Sequence, residues 1–200
     1  IIVPPGIGGE QGSTQSALII PVPDDETLYY IFTTQQVHGS NTYELRYSLY
    51  DIKLNGGDGG LLEYNKLLFT RSTERITGNG RWLIAHEYGN NAFRAYEISA
   101  NGIGNPIISS LGSDHQVTEE LNGQGYMELA GDLLAVALST SPTSNFIEVF
   151  DFIDTTGVVT NFRSVDLDTD QGQVYGIEVV GNKILATIRA TPDSYLREVY

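Results

Sequence analysis

The chain has 200 residues, 40% of them hydrophobic, with 22 Gly, 7 Pro and no Cys, and 25 acidic against 11 basic side chains give a formal net charge of -14. This apolar content is too high for a disordered tail, the length supports a sizeable core, and no run approaches the roughly 20 apolar residues of a membrane-crossing helix. The absence of Cys rules out a disulfide framework, a zinc ribbon and a thiol nucleophile and leaves the redox compartment unmarked, while scattered Lys and Arg argue against nucleic acid as a partner.

The chain opens on Ile1 with neither a charged n-region nor an apolar h-region, so any targeting segment is expected to lie outside it. A Pro/Gly-rich connector over residues 3–12 leads into the first strand. Tyr29-Tyr30-Ile31-Phe32-Thr33, Leu45-Arg46-Tyr47-Ser48-Leu49-Tyr50 and Trp82-Leu83-Ile84-Ala85 have the aromatic and β-branched make-up of strands. Phe146-Ile147-Glu148-Val149-Phe150 alternates apolar and polar. Turn clusters separate the runs: Asn55-Gly56-Gly57-Asp58-Gly59-Gly60, Gly78-Asn79-Gly80, Asn101-Gly102 and Gly131-Asp132. Gly and Asn supply the positive φ that tight hairpins require. No segment of 12 or more residues holds a 3.6-residue period, and residues 61–69 and 125–138, the most helix-like, suit strands better. The reading is all-β and antiparallel.

The strands repeat. Gly125-Tyr126-Met127-Glu128-Leu129, Gly131-Asp132-Leu133-Leu134-Ala135-Val136 and Phe146-Ile147-Glu148-Val149-Phe150 reappear 50 residues later without a gap. Their counterparts are Tyr175-Gly176-Ile177-Glu178-Val179, Gly181-Asn182-Lys183-Ile184-Leu185-Ala186 and Leu196-Arg197-Glu198-Val199-Tyr200. The last aromatic extends backwards: Tyr50, Tyr96, Phe150 and Tyr200 are spaced by 46, 54 and 50, and Asp51, Glu97 and Asp151 follow the first three. A Gly-containing turn and a fourth run come after each of those three.

Four short strands per unit of about 50 residues is the signature of a β-propeller blade, whose two apolar faces are buried only by neighbouring blades. Units are expected over about residues 16–72, 74–111, 125–165 and 175–200, the last stopping inside its third strand. About three and a half blades, of WD-repeat or lactonase-like type, imply a fragment of a larger propeller of about seven blades. The alternative is a complete all-β domain whose last sheet is finished by a strand from elsewhere.

Several phrases, in order, resemble a known propeller family. They are Ser13-Thr14-Gln15-Ser16-Ala17-Leu18-Ile19-Ile20-Pro21, Arg46-Tyr47-Ser48-Leu49-Tyr50-Asp51, Trp82-Leu83-Ile84-Ala85-His86-Glu87 and Phe150-Asp151-Phe152. The match runs over roughly residues 12–179 and resembles the propeller of large surface proteins of Bacteroidetes, some called gliding-motility associated. The resemblance implies export by the type IX secretion system to the medium or the outer-membrane surface. The sorting domain and immunoglobulin-like modules of that family do not occur in these 200 residues.

Among groups that carry chemistry, His86-Glu87 looks most catalytic, but neighbours on a strand point to opposite faces. A His satisfied within its blade and a Glu at a blade edge is the reading. His38 and His115 fall in loops, and three isolated His make a zinc site improbable. Asp166, Asp168 and Asp170, with Gly172 and Glu178 beyond, form the candidate calcium loop. Its Gly and Glu are each one position late for an EF-hand and no helices flank it, so a solvated acidic inter-blade loop is the reading and calcium held in another way the alternative. Glu128 and Glu178, each in the first strand of its unit, either contribute to an acidic ring or bond a neighbouring blade's backbone. No Gly-x-Ser-x-Gly elbow or phosphate loop occurs. Tyr43, in the loop after His38, is the candidate for contact with a glycan or protein.

The expectation is a non-catalytic module of a secreted adhesin or motility-type protein, a rigid scaffold that presents loops to a protein or glycan without a cofactor. The acidic charge suits solubility outside the cell and opposes anionic surfaces. The competing expectation is a metal-dependent hydrolase of lactonase type.

Overall fold

The computed structural model describes residues 7–37, 42–115, 124–141, 144–167, 172–181, 183–190 and 198–199. Every long element is a strand. Sheet one is β1 (Ala17–Pro21), β2 (Leu28–Thr34), β3 (Leu45–Asp51) and β4 (Gly60–Phe69), paired in that order. Sheet two is β5 (Ser72–Gly78), β6 (Trp82–Glu87) and β7 (Ala92–Ser99), and β7 then pairs with both β8 (Gly102–Ile103) and β9 (Ile107–Ser110). Pro106, which lacks an N–H, stands between the two short strands. Sheet three is β10 (Met127–Ala130), β11 (Leu133–Ser141), β12 (Ser144–Ile153) and β13 (Val158–Asp166). Sheet four is β14 (Gly172–Val180), β15 (Lys183–Ala190) and β16 (Glu198–Val199). All pairings are antiparallel.

The 50-residue repeat is reproduced in the ladders. Glu128 pairs with Ala135 as Glu178 pairs with Leu185, and Met127 with Val136 as Ile177 with Ala186. The recurring aromatics occupy one position: Tyr50 faces Tyr29, Tyr96 faces Leu83, and Phe150 faces Leu134. Tyr200 lies outside the described residues. Each sheet therefore places like residues on like faces, as a period of two requires.

Three apolar layers join the four sheets. Ile20, Tyr30, Phe32 and Leu45 of sheet one meet Ile76, Leu83, Ala85, Tyr96 and Ile98 of sheet two. Trp82, Ile84, Phe93 and Ala95 on the other side of sheet two meet Met127, Leu134, Val136, Phe150 and Phe152. Ala135, Ala137, Ile147 and Val149 then meet Val174, Ile177, Ala186 and Ile188 of sheet four. The first strands line one inner edge, β5 against β1, β10 against β5 and β14 against β10. Loops before each first strand and between second and third strands gather at one end of the sheets, the loop end. Hairpins between first and second and between third and fourth strands gather at the other, the turn end.

The turn end is built from the glycines and asparagines that the sequence marks. Residues 54–57 make one helix-like turn in which Asn55 and Gly56 have φ of 54° and 76°. Gly157 has φ 73°, and a Cβ there would stand 2.5 Å from the Trp82 ring. Both the backbone sign and the close approach demand glycine at that point. The Trp82 indole N–H donates to the Asp154 carbonyl at 2.8 Å, which seats the hairpin of sheet three on sheet two.

Candidate functional site

The inner edge at the loop end is where chemistry-bearing side chains from all four sheets meet. Its centre is the pair Thr14-Gln15, just before β1. Thr14 donates from its backbone N–H and its hydroxyl to Glu74 Oε2, both at 2.6 Å. Its hydroxyl also accepts from the Gly125 N–H at 3.3 Å and from the Tyr175 hydroxyl at 3.0 Å. One threonine thus touches sheets two, three and four. Gln15 accepts from the N–H groups of Ile76 and Met127 and donates to the Met127 carbonyl. The amide bridges two first strands that make no ladder with each other.

Glu74 and Arg75 are wholly buried. The second oxygen of Glu74 accepts from the Val37 N–H at 2.8 Å, so the carboxylate is spent on three donors that pin sheet one to sheet two. Arg75 donates through Nη2 to the Gln124 and Ala137 carbonyls. Burial lowers its guanidinium to about 10 against the opposing pull of Glu74 and Glu148, which leaves it charged at neutral pH.

Directly outward lies the open part of the site. Tyr126 is 38% exposed, and its ring centroid is 6.2 Å from that of Tyr175. The Tyr126 N–H donates to the Tyr175 carbonyl at 2.8 Å, which fixes the two backbones together. The guanidinium of Arg189 stands 5.7 Å from the Tyr175 ring centroid and reaches Gln124 Oε1 at 3.4 Å. Two aromatic rings and an accessible guanidinium supply chemistry suited to an anionic group and the face of a small ring.

Near Arg75 in the interior, His86 and His115 stack with centroids 3.5 Å apart and planes 19° apart. The sequence gives these residues as isolated. The structure corrects this: the loop after β9 folds back over β6, with His115 and Gly89–Asn90 exchanging backbone hydrogen bonds. Both rings are fully buried. His86 Nδ1 lies 2.7 Å from the Glu87 carbonyl, and His115 Nε2 lies 3.6 Å from Glu148 Oε2, too long for a hydrogen bond. Burial holds both imidazoles well below the ordinary histidine range, helped at His86 by His115 and at His115 by Arg75. They are neutral and closed to solvent. Glu87 points away from His86 to Arg94, at 2.5 Å.

The residues singled out in the sequence scatter. Glu128 accepts from the Val179 N–H at 2.7 Å, a bond to the neighbouring sheet's backbone. Burial raises its carboxyl, and the Glu178 charge adds to that. Glu178 is exposed. Tyr43 stacks on Tyr88, centroids 4.5 Å apart and planes at 20°, which joins sheets one and two at the loop end. Its own φ is 47°. Asp166 ends β13, while Asp168, Asp170 and His38 lie outside the described residues. Among the described residues no three His, Asp or Glu side chains are grouped to hold a metal ion, and no helix is long and apolar enough to cross a membrane.

Sequence reasoning passed over Thr14, Gln15, Arg75, Tyr126, Tyr175 and Arg189. One signal was available. The 50-residue shift aligns Gly125-Tyr126 with Tyr175-Gly176, so the tyrosine moves by one position between units.

No family model and no curated protein sequence matches the chain. Solved structures do. One is a protein of Bacteroides uniformis assigned as a 6-phosphogluconolactonase, 12% identical, with a TM-score of 0.55 over 98% of this chain and 57% of that one. A second, from Bacteroides fragilis and assigned alike, is 13% identical with a TM-score of 0.52 over 96% of this chain and 56% of its own. The chain spans a little over half the length of these relatives. The likeness establishes the fold: an all-β, propeller-type array of antiparallel four-stranded sheets.

Proposed function

We propose that this chain forms part of a propeller-type hydrolase of the lactonase kind, in a ring of about seven blades, acting on an anionic lactone or ester. The observation that carries this reading is the open constellation at the inner loop end, Arg189 over Tyr175 with Tyr126 beside it. The likeness to proteins assigned as 6-phosphogluconolactonases supports it over the adhesin module expected from sequence. In this reading Arg189 pairs with the anionic substituent, and the two rings take the face of the lactone. Water adds to the carbonyl, the ring C–O bond breaks, and the hydroxy acid leaves. Thr14, Glu74 and Arg75 act as positioning residues, because they hold the Tyr175 hydroxyl and the Gln124 backbone that frame the opening. The described residues do not supply the ligand set of the metal-dependent form, so the chemistry assigned to this chain is binding and orientation.

The test is hydrolysis of 6-phosphogluconolactone and of unphosphorylated gluconolactone by the intact polypeptide that carries this sequence, with and without chelator. Turnover well above the spontaneous rate is expected, with KM raised more than about tenfold by Arg189→Ala, the loss of one charge-assisted contact. A rate equal to buffer alone would overturn the reading.

A second reading rests on the Tyr43–Tyr88 stack at the same end. It is the rigid module of a secreted or cell-surface protein, exported by type IX secretion, that binds a protein or glycan through that loop surface. It predicts no turnover and binding that is lost in Tyr43→Ala.

A further inference from the structure

Residues 111–115, which follow β9, close over β6 through backbone bonds. Leu111 donates its N–H to the Asn91 carbonyl at 3.1 Å, and His115 donates to the Asn90 carbonyl and accepts from the Gly89 N–H, both at 2.9 Å. The Ser113 N–H donates to Glu148 Oε1 at 3.1 Å. Asp114 is exposed and residues 111–113 are half-buried, so the wholly buried His115 is the anchor of the loop. Its ring lies flat on that of His86, which the Phe93 ring meets edge-on at 4.6 Å. His86 Nε2, both ring nitrogens of His115 and Glu148 Oε2 are buried and find no hydrogen-bond partner among the described residues. The stack is therefore held by packing, without the bonds that fix most buried polar groups in place. The charged groups around it come from three strands. Arg75 of β5 sets a cation beside both rings. Glu148 of β12 is the counter-charge, but its Oε2 stands 3.6 Å from His115 Nε2 and its Oε1 is taken by Ser113. Glu74 of β5 is spent on Thr14 and Val37, and Glu87 of β6 turns to Arg94.

We infer that the stacked His86 and His115 form an acid-operated latch, in which protonation of the pair releases residues 111–115 from β6 while the four sheets stay folded. A proton added to either ring places a new cation against the other ring and beside Arg75, in an interior that screens charge poorly. With the loop released, the same rings meet water and protonate as ordinary histidines, near a pH of about 6.5. The open state takes up protons that the closed state refuses, so opening grows as pH falls below that value and is suppressed above it. The loop gives way before the strand does, because His86 lies in β6, paired with both β5 and β7, whereas residues 111–115 belong to no ladder. Arg75 also donates to the Gln124 carbonyl, so the latch adjoins the frame of the candidate site. The latch is independent of whether that site is catalytic.

The test is amide hydrogen exchange of the intact polypeptide at pH 7.5 and pH 5, read as protection factors so that the intrinsic pH dependence of exchange cancels. The amides of Gly89, Ser113 and His115 are expected to lose protection by about tenfold or more at the lower pH, while Leu83 and Val136, in central strands, keep theirs. His115→Phe and His86→Phe each put a ring that takes no proton in place of an imidazole, and each is expected to reduce the loss. Circular dichroism at pH 7.5 confirms that a variant folds, and either one alone serves. Equal protection of the three amides at both pH values would overturn the inference. A loss shared equally by Leu83 and Val136 would overturn it too, because whole sheets then unfold. So would a loss that persists undiminished in the variants, which would assign it to another group.

Discussion

The two ends of the sheets use the same charged residue types to opposite effect. At the loop end Glu74, Arg75 and Glu148 are buried, and each bonds backbone groups of another element. At the turn end Arg81, Glu97 and Asp154 form a chain of ion pairs at 2.8 and 3.4 Å with each side chain 41–46% exposed. Asp151 and Arg163 pair at 2.6 Å in similar exposure. Water competes for each of these ion pairs, and the side chains lose entropy to make them. At the loop end no water competes, and an unmade bond costs the full desolvation of its partner. The lesson is that distance does not rank these contacts. Burial does, and it marks the loop end as the region whose geometry the fold holds fixed. That fixed frame adjoins the open cluster of Tyr126, Tyr175 and Arg189.

The sharpest way to break this comparison is Glu74→Ala. It strips acceptors from Thr14 and Val37 and removes a carboxylate whose charge favours the Arg75 cation. A loss of about 3–5 kcal/mol is expected in denaturant unfolding, as for other buried charges deprived of a partner. Glu74→Gln, which keeps acceptor oxygen, should lose clearly less. A cost for Glu74→Ala no greater than that of Glu97→Ala would remove the distinction between the ends.

Acid sharpens it next. His86 and His115 are held neutral in the fold, with pKa values depressed below the unfolded reference of about 6.5. Below that reference the unfolded chain binds protons the folded chain refuses, so stability falls as pH drops and is complete above it. Two such groups contribute a slope of up to about 2.7 kcal/mol per pH unit below 6. The charged neighbours that face the pair are Arg75, which opposes protonation of both rings, and Glu148, which favours it at His86. Unfolding midpoints between pH 5 and 7.5 should show this slope, reduced in His86→Phe. Asp151 works in the other window. Arg163 and Asn161 hold its carboxyl below the ordinary range, so its contribution is lost only under stronger acid.

A smaller effect is expected from Gln15→Ala, which removes three hydrogen bonds from a half-buried side chain and costs about 1–2 kcal/mol in the same assay. Smallest is Arg81→Ala, whose thermal midpoint should move less than that of Glu74→Ala or Gln15→Ala.

Much of the fold is legible in the amino-acid order because it rests on local period and on a repeat. The gapless shift from Glu128 to Glu178 reads directly as two ladders of identical register. The recurring Tyr50, Tyr96 and Phe150 read as one layer position. The site is another matter. His86 and His115 are separated by a strand, a split fourth strand and a loop, and nothing in their spacing announces a 3.5 Å stack. Thr14 and Gln15 look like ordinary polar residues before a strand. Their role comes from sitting where four sheets converge, which no single unit encodes. Glu128 was visible as a repeated carboxylate, but its bond to Val179 depends on how β10 and β14 are offset.

The most direct test of the account is a nuclear magnetic resonance titration of the intact polypeptide with 6-phosphogluconate, the open-chain acid that lactone hydrolysis would release. Saturable shifts at the amides of Gly125, Tyr126, Tyr175 and Arg189, absent in Arg189→Ala, are the predicted result. Shifts confined to the turn end around Arg81 and Arg163, or no saturable shift at all, would contradict it.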